Sequence, residues 1–139
     1  MMSRILFSSA AAIILLVGSV HLAYTAFTQK LHPADRRVEV AMQESPMRLS
    51  GHPTMWNAWI GFNFSRSLGL ISFGLVYGYF ATCRWGVLHN SVVLVVLGCL
   101  VLLTYVVLSL VYWFTGPFVL VSCEAVLYFA GVACRIARS

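Results

Sequence analysis

The sequence predicts an all-α protein: a transmembrane four-helix bundle of up-down topology, formed as a single membrane domain over residues 1–139. Three observations lead there. The chain is 60% hydrophobic and 9% charged, with a mean hydropathy of +0.88, whereas soluble domains carry about 25% charged residues. A chain this short has too much surface to hide that many apolar residues in a water-soluble core. The apolar residues also gather into four runs, approximately 5–28, 53–82, 91–114 and 117–136, each reaching the roughly 20 residues that a membrane helix needs. Inside lipid the backbone must satisfy its own hydrogen bonds, so each run is helical.

The first run follows Met1–Arg4, which has the look of a signal-peptide head, with Ala10 to Val17 as its apolar region. No convincing small-x-small cleavage site precedes His21, and the apolar run continues to Phe27, so it reads as a retained first helix. The loop from Gln29 to His52 is the only sizeable extramembrane piece. It holds Asp35, Glu39 and Glu44, three of the four acids in the chain, together with Lys30, Arg36, Arg37 and Arg48. A proline start at Pro33 and an early acid predict a short helix running to Glu44. Val38, Ala41 and Met42 share one of its faces, which suits a helix lying on the membrane surface.

The second run opens at Pro53 and exceeds what a bilayer requires, so it tilts or projects into the interface. It carries Gly61-x-x-x-Ser65-x-x-x-Gly69, then Gly74 and Gly78. Small residues four apart allow helix backbones to approach closely, and contact within the chain is the expected use. Residues 83–90 form a short turn before the third run, and Thr115-Gly116-Pro117 a tighter one before the fourth. Such short links force antiparallel neighbours, and Pro117 suits the first turn of a helix.

The net charge of +5 fits loops anchored on anionic lipid; the aromatic interleaving of a nucleic-acid surface is absent. With four spans, Arg4, Arg84, Arg135 and Arg138 share the side of both termini, opposite Lys30, Arg36, Arg37 and Arg48. The uncharged 115–117 turn tips the balance towards cytoplasmic termini in a bacterial cytoplasmic membrane. Cys83, Cys99, Cys123 and Cys134 offer neither a C-x-x-C pair nor a metal-ligand spacing, which argues against a thiol oxidoreductase.

His21, Arg66 and Glu124 lie inside apolar runs. At 1.5 Å per helical residue they sit about 10, 15 and 10 Å from the first-loop side, a shared layer within the boundary error. A charge near the bilayer centre costs roughly 2.5–3.5 kcal/mol on insertion scales, so such groups pair or serve a purpose. Asn63 and Arg66 are an i,i+3 pair and Glu124 and Tyr128 an i,i+4 pair, each on one helix face. These five residues are the candidate ligand-binding set, with an Arg66–Glu124 pair at its centre and hydrogen bonds completed by Asn63 and His21. Arg66 would hold an anionic or carbonyl group of an amphipathic small molecule, or of a larger membrane complex. A homo-oligomer is a further possible partner.

Two alternatives stand beside this reading. One is an enzyme acting on a lipid-soluble substrate, with His21 or Glu124 as general acid–base; the other is a purely structural polar network. Proton-coupled transport is disfavoured by there being a single acid inside the apolar runs. No cofactor or metal is expected: His21, His32 and His52 match no ligand spacing, and no nucleophile-elbow sequence occurs.

At His21-Leu-Ala-Tyr24 and Thr54-Met-Trp-Asn-Ala-Trp-Ile-Gly-Phe-Asn-Phe-Ser-Arg-Ser-Leu-Gly69 the chain resembles a family of small, uncharacterised bacterial four-span membrane proteins. The likeness covers most of the first helix, the first loop and the second helix; the last two helices match only as apolar spans. Where the family pattern Met-Trp-x-x-x-x-Gly-Phe-Asn-x-Ser-His-Ser-Leu-Gly has histidine, this chain has Arg66. The resemblance implies the four-span fold and no particular activity. Asn63 and Arg66 also resemble part of a signature of membrane glutathione-transferase-like proteins, which keeps the enzyme alternative open.

Overall fold

The computed structural model describes residues 1–48 and 52–137. They form six helices: α1 (Met2–Phe27), α2 (Arg36–Glu44), α3 (Met55–Cys83), α4 (Trp85–Asn90), α5 (Val92–Tyr112) and α6 (Thr115–Ile136). The described residues contain no strand, only an isolated bridge between Pro46 and Thr54. The four apolar runs fall on α1, α3, α5 and α6. Of these, α1, α5 and α6 are long and apolar enough to cross a membrane. Although α3 is the longest helix at 29 residues, Asn57, Asn63, Ser65, Arg66 and Ser67 dilute the apolar character of its first half.

The chain gathers into two compact units, one of Met1–Val17 with Leu70–Ser139 and one of Gly18–Gly69. In the first, aromatic rings fill the core. Phe7 meets Tyr128 edge-on at 4.6 Å between centroids, Tyr77 meets Tyr128 at 5.9 Å, and Phe73 stacks on Tyr77 at 4.3 Å. Such pairs add about 0.5–1.5 kcal/mol beyond the area they bury. Gly74 brings α3 against α1 so closely that an added Cβ would stand 2.8 Å from Leu15 Cβ and 2.9 Å from its backbone nitrogen. The ends are tied by side chains reaching main-chain carbonyls. Ser3 Oγ donates to Gly131 at 2.9 Å, and the Arg4 guanidinium donates to the Ala81 and Thr82 carbonyls at the end of α3. Helices α5 and α6, linked only by Trp113 and Phe114, pack along one another. The rest of α5 turns Val93, Leu97, Leu100, Val107 and Leu110 outward, an apolar surface of the kind that lipid covers.

Residues 83–90, expected as a plain turn, contain the six-residue helix α4. Its Leu88 is fully buried, and burying that side chain rewards a helical turn where composition alone suggested a loop. Ser91 then caps α5, its Oγ accepting the Leu94 N–H at 3.2 Å.

In the second unit, Asp35 caps α2 by accepting the Arg37 N–H at 2.9 Å. None of the residues of α2 is buried, so the amphipathic helix read from the sequence forms with its apolar face uncovered. Val38, Ala41 and Met42 line a groove with Ser45 and Met55. The Met47 N–H donates to the Pro53 carbonyl at 3.1 Å and the Met55 N–H to the Ser45 carbonyl at 2.9 Å. Thr54, rather than Pro53, caps α3 by accepting the Asn57 N–H at 3.3 Å.

The small-residue stripe behaves differently from expectation. Gly61, Ser65 and Gly69 are exposed, and an added Cβ at Gly61 would meet open space. Gly74, further along α3, is packed closely against α1.

Candidate functional site

The second unit holds three of the five candidate residues. His21 stands near the end of α1 and is half-buried; Asn63 and Arg66 stand one helical turn apart on α3. Asn63 is 7% exposed, and it and Arg66 are the polar neighbours of the His21 imidazole. The imidazole Nε2 is itself buried and has no hydrogen-bond partner among the described residues.

The surrounding polar groups are turned back on their own helices. The Asn63 amide donates to the Trp59 carbonyl at 2.8 Å, Ser67 Oγ donates to the Asn63 carbonyl at 2.9 Å, and Thr25 Oγ1 donates to the His21 carbonyl at 2.9 Å. These i to i−4 bonds satisfy the short polar side chains where they stand. Ser67, fully buried, was missing from the candidate set. Its i,i+4 spacing from Asn63 was the available signal, but a serine in an apolar helix carries little weight by composition.

Around this group the first loop is fastened to the start of α3. Trp59 Nε1 donates to the Leu31 carbonyl at 3.1 Å. His32 meets Trp56 edge-on at 4.8 Å and lies 3.4 Å from a Glu39 oxygen. Among the described residues no group of three or more His, Cys, Asp or Glu gathers as metal ligands would.

The other two candidates lie in the first unit. Tyr128 is a core residue: its hydroxyl donates to the Val95 carbonyl at 3.2 Å, between the rings of Phe7 and Tyr77. Glu124 is fully buried, and both carboxylate oxygens lack a hydrogen bond from any described residue; the sequence had named Arg66 as their donor.

Chemically, the His21 group pairs a guanidinium, a planar fork of N–H donors, with an imidazole whose Nε2 has no hydrogen-bond partner among the described residues. That combination suits an oxyanion or a carbonyl. No family model, no curated protein and no solved structure matches the chain.

Proposed function

We propose that the chain is a small multi-pass protein of the bacterial cytoplasmic membrane, related to the uncharacterised four-span family that its first half resembles. In this reading α3 is a fourth span completing an up-down four-helix transmembrane bundle, with both termini cytoplasmic. Its role is binding rather than catalysis. Arg66 takes the anionic or carbonyl head of an amphipathic molecule, or of a larger membrane complex, and His21 adds a hydrogen bond through its ring.

The observation that supports this most directly is the convergence on the His21 imidazole of two α3 side chains, Asn63 and Arg66, beside helices made otherwise for lipid. Groups of this cost are kept in apolar helices when they pair or bind.

The test is ligand capture. Full-length protein extracted in mild detergent should carry a small amphipathic molecule detectable by mass spectrometry. Arg66→Gln should lose most of it while keeping helical circular dichroism and a cooperative melt. A structural role is the second reading, favoured by the back-bonding of Asn63, Ser67 and Thr25. It would prevail if Arg66→Gln unfolds the protein, or if wild type and variant retain the same molecules.

A further inference from the structure

We propose that the cavity between α4 and the end of α6 binds a phosphate group, foremost that of an anionic phospholipid. The cavity has a volume of about 300 Å³ and is lined by His89, Asn90, Arg135 and Ile136, all within one compact unit.

Its donors are held ready. Arg135 Nε donates to the His89 carbonyl at 2.6 Å, which fixes the guanidinium plane at the cavity wall. A fixed guanidinium fork matches a phosphate bidentately. The His89 ring is steadied by Trp85, 5.3 Å away between centroids. Its Nδ1 is buried and has no hydrogen-bond partner among the described residues. Asn90 adds an amide. A buried polar atom without a partner is costly, and a small turn of the His89 ring would bring a ring nitrogen to a phosphate oxygen in the cavity.

Among the described residues of this unit, the charged side chains near the cavity are basic. The one acidic side chain among the described residues of this unit is Glu124, eleven residues from Arg135, roughly 16 Å along α6. Arg4, Arg84 and Arg135 stand at this end of the unit, and Arg4 is already engaged with the Ala81 and Thr82 carbonyls. The exposed apolar side chain of Ile136 on the cavity wall, with Val87 and Val92 nearby in sequence, suits acyl chains beneath a headgroup. Trp85 has the character of an interfacial anchor.

The full chain in detergent is titrated with phosphatidylglycerol and with diacylglycerol of the same acyl chains, and bound lipid is counted by native mass spectrometry. Phosphatidylglycerol should bind roughly tenfold tighter. His89→Phe keeps a ring against Trp85 and should weaken it about fivefold, as should Arg135→Gln, each losing a donor to phosphate. Arg84→Gln, outside the cavity wall, should leave the affinity within about twofold. If Arg135→Gln fails to fold, Asn90→Ala, an exposed change, takes its place. Inorganic phosphate is the competitor: displacement of the lipid assigns the cavity to soluble phosphate, and retention assigns it to the lipid, both upholding a phosphate site. Equal binding of the two lipids, or an Arg84→Gln loss matching that of His89→Phe, overturns the proposal.

Discussion

Gly98 is the reason Tyr128 can reach across to α5: a Cβ at position 98 would overlap the tyrosine hydroxyl and the ring carbon that bears it. With no side chain there, the hydroxyl donates to the Val95 carbonyl at 3.2 Å, and the ring stays wedged between Phe7 and Tyr77. Small residues let membrane helices approach closely in just this way. Here one glycine positions one aromatic side chain, so the pairing of α5 with α6 depends on a specific fit and not on generic apolarity.

Gly98→Ala should therefore destabilise the protein by about 1–3 kcal/mol, the usual cost of overpacking. Tyr128→Phe should cost less, about 0.5–1.5 kcal/mol, for the lost hydrogen bond. Because the hydroxyl is the atom in the way, the double variant should be more stable than the sum of the single effects. Denaturant unfolding in detergent reads all three, and strict additivity would contradict this account of Gly98.

The α3 glycines separate in the same manner. At Gly74 an added methyl would press on Leu15 Cβ and on the α1 backbone nitrogen, and a backbone atom cannot turn aside as a flexible side chain can. Gly74→Ala should cost roughly 1–3 kcal/mol. Gly61 lies in the same helix with open space around it, so Gly61→Ala gains only helix propensity and should stabilise by about 0.5–1 kcal/mol. Opposite signs in a thermal-shift assay would bear this out. A loss at Gly61→Ala would instead reveal a neighbour pressed against the stripe, such as a second copy of the chain.

Asp35 governs α2 locally. Its carboxylate accepts the Arg37 N–H at 2.9 Å, and no residue of the helix is buried; the first turn has besides it the contact of Glu39 with His32 at 3.4 Å. Asp35→Ala should cost about 0.5–2 kcal/mol of helix stability. An uncovered helix opens on its own, so the loss should appear as faster amide exchange in residues 36–44 with an unchanged global melt. A global shift of the same size would mean that α2 is tied to the core.

The helices were legible because their cause is local. Long apolar runs must be helical in lipid, and Asp35 ahead of an amphipathic stretch announces a cap. Helix α4 was not legible, since six residues with Gly86, His89 and Asn90 carry no periodic pattern; only the burial of Leu88 shows why they coil. The candidate site was legible in part. Counting along a helix gives depth, and Asn63 and Arg66 are neighbours of the His21 imidazole. It gives no azimuth, and the two Glu124 oxygens accept no hydrogen bond from a described residue. Nor could spacing show that the Tyr128 hydroxyl, assigned to a ligand, is spent on Val95. That depends on the absent side chain of Gly98, thirty residues away in sequence.

Glu124 gives the sharpest test of what the buried polar groups do. It is 0% exposed, and neither oxygen accepts a hydrogen bond from a described residue. A buried polar group left in that condition costs about 1–3 kcal/mol, and replacing buried ionisable groups with apolar ones of similar size is often stabilising. Glu124→Met, close in volume, should therefore raise the unfolding free energy by about 1–3 kcal/mol, read by denaturant titration of the full chain in detergent. Glu124→Gln keeps the polarity and the burial and should gain little. If Glu124→Met instead lowers stability while Glu124→Gln holds it, the carboxyl has a partner in the membrane-embedded protein. Arg66→Met combined with Glu124→Met then decides whether that partner is Arg66: recovery of stability in the double variant identifies the pair expected from the sequence, and continued loss assigns the carboxyl to a lipid, a ligand or a second chain.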